Sequence, residues 1–456
     1  MSYNEKDYFI RIFKLNLLLL LACNQILSQS VSLYSKETIT QDIDFFVKEL
    51  ERVHPEPFHS IPKDSFVSGV NNICNQLPDS LTKIDAWKAL FQIAALLKEG
   101  HTYIFPPMFE IGNFLRFPYK IRIDVNSFDF IVNGSVDDNN IDVPLGGRIV
   151  SINSISTDSI VSLLRNCISA ENEAYFVFSC EQFFDVSMYS LFGEPEYFDV
   201  GFMTADGVEV RKVEAVRPVS EITSSNYSFQ MINDSIAYVD INALYSFSSF
   251  KKFCKTTFGS LNKNKVPHLI IDFRGNMGGD SKLCEELIRY IANEPFSLWE
   301  KAIAKYNPAS KKFSSDIIDG ESLVSIEFTK SDKYMIHPCS SKKRYSGNVY
   351  VLVNGGTFSS AGACVWCLDH YNLATIVGSE TGGTGVHYGN PMRGFLPNTG
   401  LMYSISSVKW YQIGANDDSG FGLIPNHIIE MSVEDVKLKK DSELEFVLKR
   451  ILDEIN

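Results

Sequence analysis

The run "VLVNGGTFSSAGACVWCLDH" (351–370) opens as a buried strand and closes as a nearly all-apolar helix, with Gly355, Gly356, Thr357, Phe358, Ser359 and Ser360 at the corner between them. A serine in the first turn of a helix sits at the positive end of the helix dipole, beside backbone N–H groups that have no helical partner. Two readings fit. Thr357 or Ser359 is an ordinary N-cap; or Ser359 is a nucleophile whose oxyanion the Ser360 amide holds, a contribution of about 3–4 kcal/mol per donor. A second run, "LIIDFRGNMGGD" (269–280), carries a buried strand into Asp272 and Arg274 and then a loop with Gly275, Gly278 and Gly279. Such a loop brings backbone N–H groups close to a ligand, which makes Gly278 and Gly279 candidates for oxyanion and substrate-strand binding. The alternative there is a glycine turn beside an Asp272–Arg274 ion pair. The Gly-Lys-Ser/Thr element of a phosphate loop is missing. A serine nucleophile needs a base, most often histidine. Of the eight histidines, His101 in "LLKEGHTYIF" (96–105) is the one set at a helix-to-strand corner, between glycine and threonine.

The elements that must position these residues follow from periodicity. In "TQDIDFFVKELERVH" the positions Ile43, Phe46, Val47, Leu50 and Val53 have helical spacing, with Thr40 as N-cap. In "KIDAWKALFQIAALLKEG" the positions Ile84, Trp87, Leu90, Ile93, Ala94 and Leu97 do the same, with Gly100 as C-cap. Residues 36–108 thus read as a helical N-terminal subdomain. Residues 109–222 read as a β-rich module, in which "PLGGRIVSINSISTDSIVSLL" (144–164) is turn, strand, turn and helix. "SSNYS" near 225 is a linker. Over 228–456 the short apolar strands "SIAYVDI", "HLIIDF", "NVYVLV" and "ATIVG" alternate with turns and helical stretches, which predicts a mainly parallel, buried sheet. The closing helix "DSELEFVLKRILDEI" carries Leu444, Val447, Leu448, Ile451 and Ile455 on one face, with Ser442 and Glu445 as a capping box.

The 456 residues allow two or three domains, and 45% hydrophobic with 21% charged residues is ordinary for a globular protein. A net charge of −13 without a basic stripe argues against a nucleic-acid partner. At the N-terminus, Arg11 and Lys14 precede "LNLLLLLAC" (15–23), an apolar run too short to span a bilayer. Residues 1–28 read as a secretory signal peptide. "LLAC" resembles a lipobox, which would leave Cys23 lipidated and the chain membrane-attached; alternatively a signal peptidase cuts near Ser28. The expected location is the periplasm or an outer-membrane anchor. The other cysteines are scattered, and Cys364 and Cys367, despite redox-motif spacing, have the apolar neighbours of a buried helix. No Cys/His cluster has zinc-site spacing, and His54 and His59, flanking "PEPF", read as structural.

"DFRGNMGG", "VLVNGGTFSSAG" and "GSETGGTG", in this order, resemble the signature blocks of the tail-specific and C-terminal-processing serine peptidases, a family that includes the tricorn core protease and the related retinoid-binding-protein modules. The likeness runs from about 230 to 430, and "KEGHTY" resembles the family's "GHT" element. It implies an α/β fold with a crotonase/ClpP-like catalytic core, and it makes "PLGGRIVSINSIS" similar to part of a PDZ-like module that captures substrate. One branch of the family pairs its serine with a lysine; that position falls on Thr384 here, and no lysine occurs between Lys343 and Lys409. The tricorn-like branch uses a histidine, matching His101, and a carboxylate just before a closing block that "GFGLIPN" resembles. That carboxylate would be Asp418 or Asp417, although Ser419 stands at the expected position, and Glu380 is a further candidate. Gly362 replaces a glutamate frequent in relatives. The resemblance, together with the signal peptide, therefore implies an exported serine endopeptidase acting on extended or unfolded polypeptide. Its catalytic residues would be Ser359, His101 and Asp418, its oxyanion donors Gly278 and Ser360, and it needs no metal or organic cofactor. The rival on the same fold is an inactive protein that binds peptide or a hydrophobic ligand.

Overall fold

A computed structural model describes residues 32–107, 114–136, 143–217, 225–305, 323–415 and 420–455. The signal-peptide segment with Cys23, and the acid candidates Asp417 and Asp418 with Ser419, lie outside the described residues.

The four apolar runs pair in one six-stranded sheet in the order Tyr227–Asn233, Ile236–Ile241, His268–Asp272, Asn348–Val353, Thr375–Gly378, His427–Ile428. The first pair is antiparallel and the others are parallel. Successive side chains of a strand face opposite sides. Leu269, Ile271, Val351 and Val353 pack with residues of the helices Phe247–Asn264, Ser281–Ile288 and Ser359–His370. Ile270, Tyr350, Leu352 and Val377 pack on the other side against Val447 and Ile451 of the helix Ser442–Ile455. With both faces covered, the strands are apolar throughout instead of alternating.

This sheet joins the two glycine motifs. Asp272 pairs with Leu352 at the carboxyl ends of neighbouring parallel strands, so the loops that follow leave the sheet side by side. Such strand ends are where open α/β sheets bind ligands. His101 arrives from elsewhere. The short strand Tyr103–Ile104 pairs with Met402–Ile405 in a three-stranded sheet, and the Ser404 hydroxyl donates to the His101 carbonyl at 2.8 Å. Behind it, Ile43, Phe46, Leu50, Trp87, Leu90 and Ile93 share one apolar cluster with Leu396, Leu401 and Ile405. The early helices and the late hairpin are thus packed as one piece. A further antiparallel sheet contains Tyr119–Ile123, Phe130–Ser135, Arg148–Ile152, Tyr197–Thr204 and Gly207–Glu214, with the helix Thr157–Arg165 packed on it.

Three helix boundaries differ from the sequence expectation. The first helix starts at Lys36, where the Ser35 hydroxyl accepts the Thr38 N–H; Thr40 lies inside it and bonds back to the Lys36 carbonyl. The second ends at Ala95, short of Gly100. There the Leu96, Leu97 and Lys98 amides bond to carbonyls three residues back and Lys98 turns left-handed at φ 51°, which tightens the exit. In the last helix the cap is Asp441, whose Oδ1 accepts the Leu444 N–H, rather than Ser442. The eight described cysteines are free, and Cys364 and Cys367 are core residues. Among the described residues no helix is long and apolar enough to cross a membrane.

Candidate active site

The loop between strand Asn348–Val353 and helix Ser359–His370 is fixed by its own polar groups. Asn354 Oδ1 accepts the Gly275 and Gly356 amides, each at 2.9 Å. The Thr357 hydroxyl donates to the Phe273 carbonyl at 2.9 Å, and the Phe358 amide to the Asn276 carbonyl at 3.0 Å. No side chain caps the helix, so neither Thr357 nor Ser359 serves as an N-cap. Ser359 instead adopts φ 52°. A left-handed conformation in a non-glycine residue costs about 1–3 kcal/mol and persists only where its surroundings impose it.

Gly278 is the closest part of that surrounding. Its φ is +99°, and a Cβ there would lie 2.7 Å from Ser359 Cβ and 2.9 Å from the Ser360 nitrogen. Asn276, fully buried, shapes this loop: its Oδ1 accepts the Gly278 amide at 2.9 Å and its Nδ2 donates to the Ile241 carbonyl at 2.7 Å. The Gly278 amide is therefore already engaged. The Ser360 hydroxyl donates to the Gly279 carbonyl at 2.8 Å, while the Gly279 and Ser360 amides make no hydrogen bond among the described residues. Those two amides are free donors beside the serine. The Asp272–Arg274 pair is present too, and it reaches further. Arg274 bonds Asp272 at 2.6 Å and Asp441 at 2.8 Å, anchoring the glycine loop to the last helix.

His101 Nε2 lies 2.9 Å from Ser359 Oγ. The imidazole stacks on Phe358 (centroids 4.6 Å apart), which stacks on Tyr175 (4.0 Å). Gly100 makes room for this stack, since a Cβ there would lie 2.8 Å from both aromatic rings. On its other side His101 Nδ1 faces Glu99 Oε1 at 3.7 Å and has no hydrogen-bond partner. Glu99 is fully buried, and Oε1 also accepts the His101 amide at 2.8 Å and the Ser406 hydroxyl at 2.9 Å. Burial alone would raise the Glu99 pKa. The facing imidazole of His54, then the charge of His101, outweigh it and bring the carboxyl to about 2. Burial pushes the His101 imidazole below its usual range, with Glu99 opposing. Glu171, nearby, is held well above the carboxylate range by burial and by the Glu99 charge.

Glu99 was not singled out by its sequence, because nothing in helical periodicity separates it from a solvent-facing residue at a helix end. Its one signal is its position two residues before the candidate base. Of the sequence-stated acids, Glu380 spends Oε1 on the Gly422 amide (2.8 Å) and on Asn172 (3.3 Å) and makes no contact with His101. Thr384, at the lysine position of the other branch, is buried and donates to the Val386 carbonyl. Among the described residues, Glu99, His101 and Glu171 form the group whose metal-ligating atoms lie within 4.8 Å of one another. The imidazole and Glu99 of that group already face each other.

A serine hydroxyl on an imidazole, an ionised buried carboxylate behind it and free amides at a helix start are the parts of acyl transfer through a tetrahedral intermediate. That chemistry defines a serine hydrolase. Residues 235–428 match the model of Peptidase family S41, and this segment is the serine-type peptidase domain of the tail-specific protease family. His101 and Glu99 lie before the matched segment. Among solved structures, the chain is similar to mature CPAF complexed with lactacystin, at 13% identity, covering 91% of this chain and 98% of that one with a TM-score of 0.68. Mature CPAF is similar at 13% identity, with 90% and 95% covered and a TM-score of 0.67. At this identity the likeness concerns the fold. No curated protein matches the chain in sequence.

Proposed function

We propose that this peptidase is an exported endopeptidase that cuts extended or unfolded polypeptides, with Ser359 as nucleophile and His101 as general base. In this reading Nε2 takes the hydroxyl proton as Oγ attacks the scissile carbonyl, the Gly279 and Ser360 amides receive the oxyanion, and His101 then protonates the leaving amine. Glu99 steadies the imidazolium formed on the way; its 3.7 Å separation from Nδ1 is the loose spacing of a resting site that tightens when substrate binds. Glu99 takes the orienting role given to Asp418 on resemblance. An extended substrate would add as a strand beside the glycine loop, and the β-rich module would hold the rest of the chain. Export rests on the sequence of residues 1–28.

The observation that carries this reading is the 2.9 Å contact between His101 and Ser359, residues 258 positions apart in the chain. Intact mass after exposure to a fluorophosphonate tests it. One adduct is expected on the wild type and none on Ser359→Ala or His101→Ala. An adduct surviving Ser359→Ala overturns the nucleophile; a folded wild type that takes up no adduct and cleaves no unfolded protein favours the ligand-binding rival.

A further inference from the structure

The site continues past Glu99. His54 caps the C-terminus of the first helix, and its side chain is only 2% exposed. The Glu56 amide donates to His54 Nδ1 at 3.1 Å. That nitrogen is therefore an acceptor, so the proton of the neutral ring resides on Nε2. Nε2 faces Glu99 Oε2 at 3.6 Å. The ring is held there by stacking, 4.6 Å from Tyr388 and parallel to His59 at 6.1 Å. Tyr388 and Lys409 in turn bind the Glu56 carboxylate, each at 2.8 Å, which secures the loop that fixes the tautomer.

We infer that His54 is a positioning residue for the peptidase reaction, acting through Glu99: its Nε2–H occupies one carboxylate oxygen so that the other stays ionised and aimed at His101. This role rests on the Ser359–His101 reading. The argument is one of accounting. Glu99 has no solvent, and a buried carboxylate stays ionised only when its oxygens are met by donors. Oε1 is met by the His101 amide and Ser406. Oε2 has no hydrogen bond in the resting site, and His54 Nε2 is the N–H that faces it, within a small ring movement of the ordinary ~3 Å separation. The other titratable groups nearby are ill placed to help. Glu171, held well above the carboxylate range by burial and by the Glu99 charge, makes no hydrogen bond to Glu99. His387 stacks on His101 at 6.1 Å and is pushed down to about 3 by burial and by His101, while His59 stacks on the His54 ring and the Glu56 amide binds its other nitrogen.

The test compares fluorophosphonate labelling of Ser359 across pH 5–9 in the wild type, His54→Phe, His54→Gln and His54→Asn, with melting temperature as a folding control. Phenylalanine keeps the stacking but removes the N–H. Glutamine carries an N–H where Nε2 stood, whereas asparagine carries one where Nδ1 stood. His54→Phe and His54→Asn are expected to lose about 10-fold or more in labelling rate at pH 7 and to recover as pH rises. Their acid limb should then report protonation of Glu99 rather than of His101 and lie above neutral pH, so that labelling recovers only toward pH 9. His54→Gln should restore both rate and limb. If His54→Phe does not fold, the asparagine and glutamine pair carries the comparison. Folded His54→Phe or His54→Asn with wild-type rate and an unshifted limb overturns the role of His54 alone. Failure of the wild type to label at Ser359 overturns the nucleophile reading, and this inference with it.

Discussion

Glu99 and His101, two residues apart, meet twice: the carboxylate accepts the His101 backbone amide at 2.8 Å and faces the same residue's Nδ1 at 3.7 Å. A short-range loop thus sets imidazole and acid together. The serine is what must be delivered from elsewhere, by the pairing of Tyr103–Ile104 with Met402–Ile405.

That pair sets the pH dependence. The base must be neutral, and burial lowers the His101 pKa from 6.5 against the opposing charge of Glu99. Activity is therefore expected to be full above the imidazole pKa and lost as pH falls through it, with the acid limb below the usual histidine range. In Glu99→Gln the opposing charge is gone, so the limb should move to still lower pH while kcat drops by about 10²–10⁴. Asp418→Asn should leave both nearly unchanged. A pH series of kcat/KM on the three proteins decides between the acids.

Gly278→Ala should injure catalysis more than stability. The added methyl would sit 2.7 Å from Ser359 Cβ at a φ of +99°, so either the serine or the loop must shift. The expected cost is about 1–3 kcal/mol in unfolding free energy and about 10²-fold in kcat, because a displacement of about 1 Å at a reacting group costs that much. Urea unfolding and labelling rate measure the two separately.

Gly100→Ala acts by another route. Its methyl would press on Phe358 and Tyr175, the rings on which His101 rests. Labelling of Ser359 should slow about 10–100-fold, and Tyr175→Leu combined with Gly100→Ala should recover part of the loss by making room. A double mutant no faster than Gly100→Ala would show that the stack does not set the imidazole.

Much of this was readable in the residues because the physics there is local. A strand buried on both faces must be apolar throughout, so "HLIIDF" and "NVYVLV" announced a parallel sheet and, with it, the strand ends where loops gather. The glycines at 278 and 279 and the serine corner marked a close backbone approach. The role of Glu99 was hidden, because a charged residue at a helix end is normally solvated and its burial depends on the left-handed turn at Lys98 and on Ser406, some three hundred residues later. His54 read as structural for the same reason: its partner is supplied by the tertiary fold. The caps at Ser35 and Asp441 each fell near a second plausible capping residue, and local pattern does not rank such neighbours.

Arg274 ties the site to the end of the chain, and its removal tests how far the glycine loop depends on that tie. Its guanidinium spans Asp272, Asp441 and Glu443, and the charges of Asp441 and Asp272 hold its pKa up against burial. Arg274→Met would leave Asp272, 6% exposed, with the Tyr238 hydroxyl as its remaining side-chain donor. An uncompensated buried charge of this kind costs about 3–5 kcal/mol, which urea unfolding at neutral pH will register. Arg274→Lys should recover only part of it, because a single ammonium cannot reproduce the planar fork that bridges Asp272 and Asp441. Since Arg274 directly precedes Gly275 in the loop that packs on Ser359, labelling should slow in both variants at temperatures well below melting. A destabilised Arg274→Met that labels at the wild-type rate would show instead that Asn276 and Asn354 hold the loop without help from the last helix.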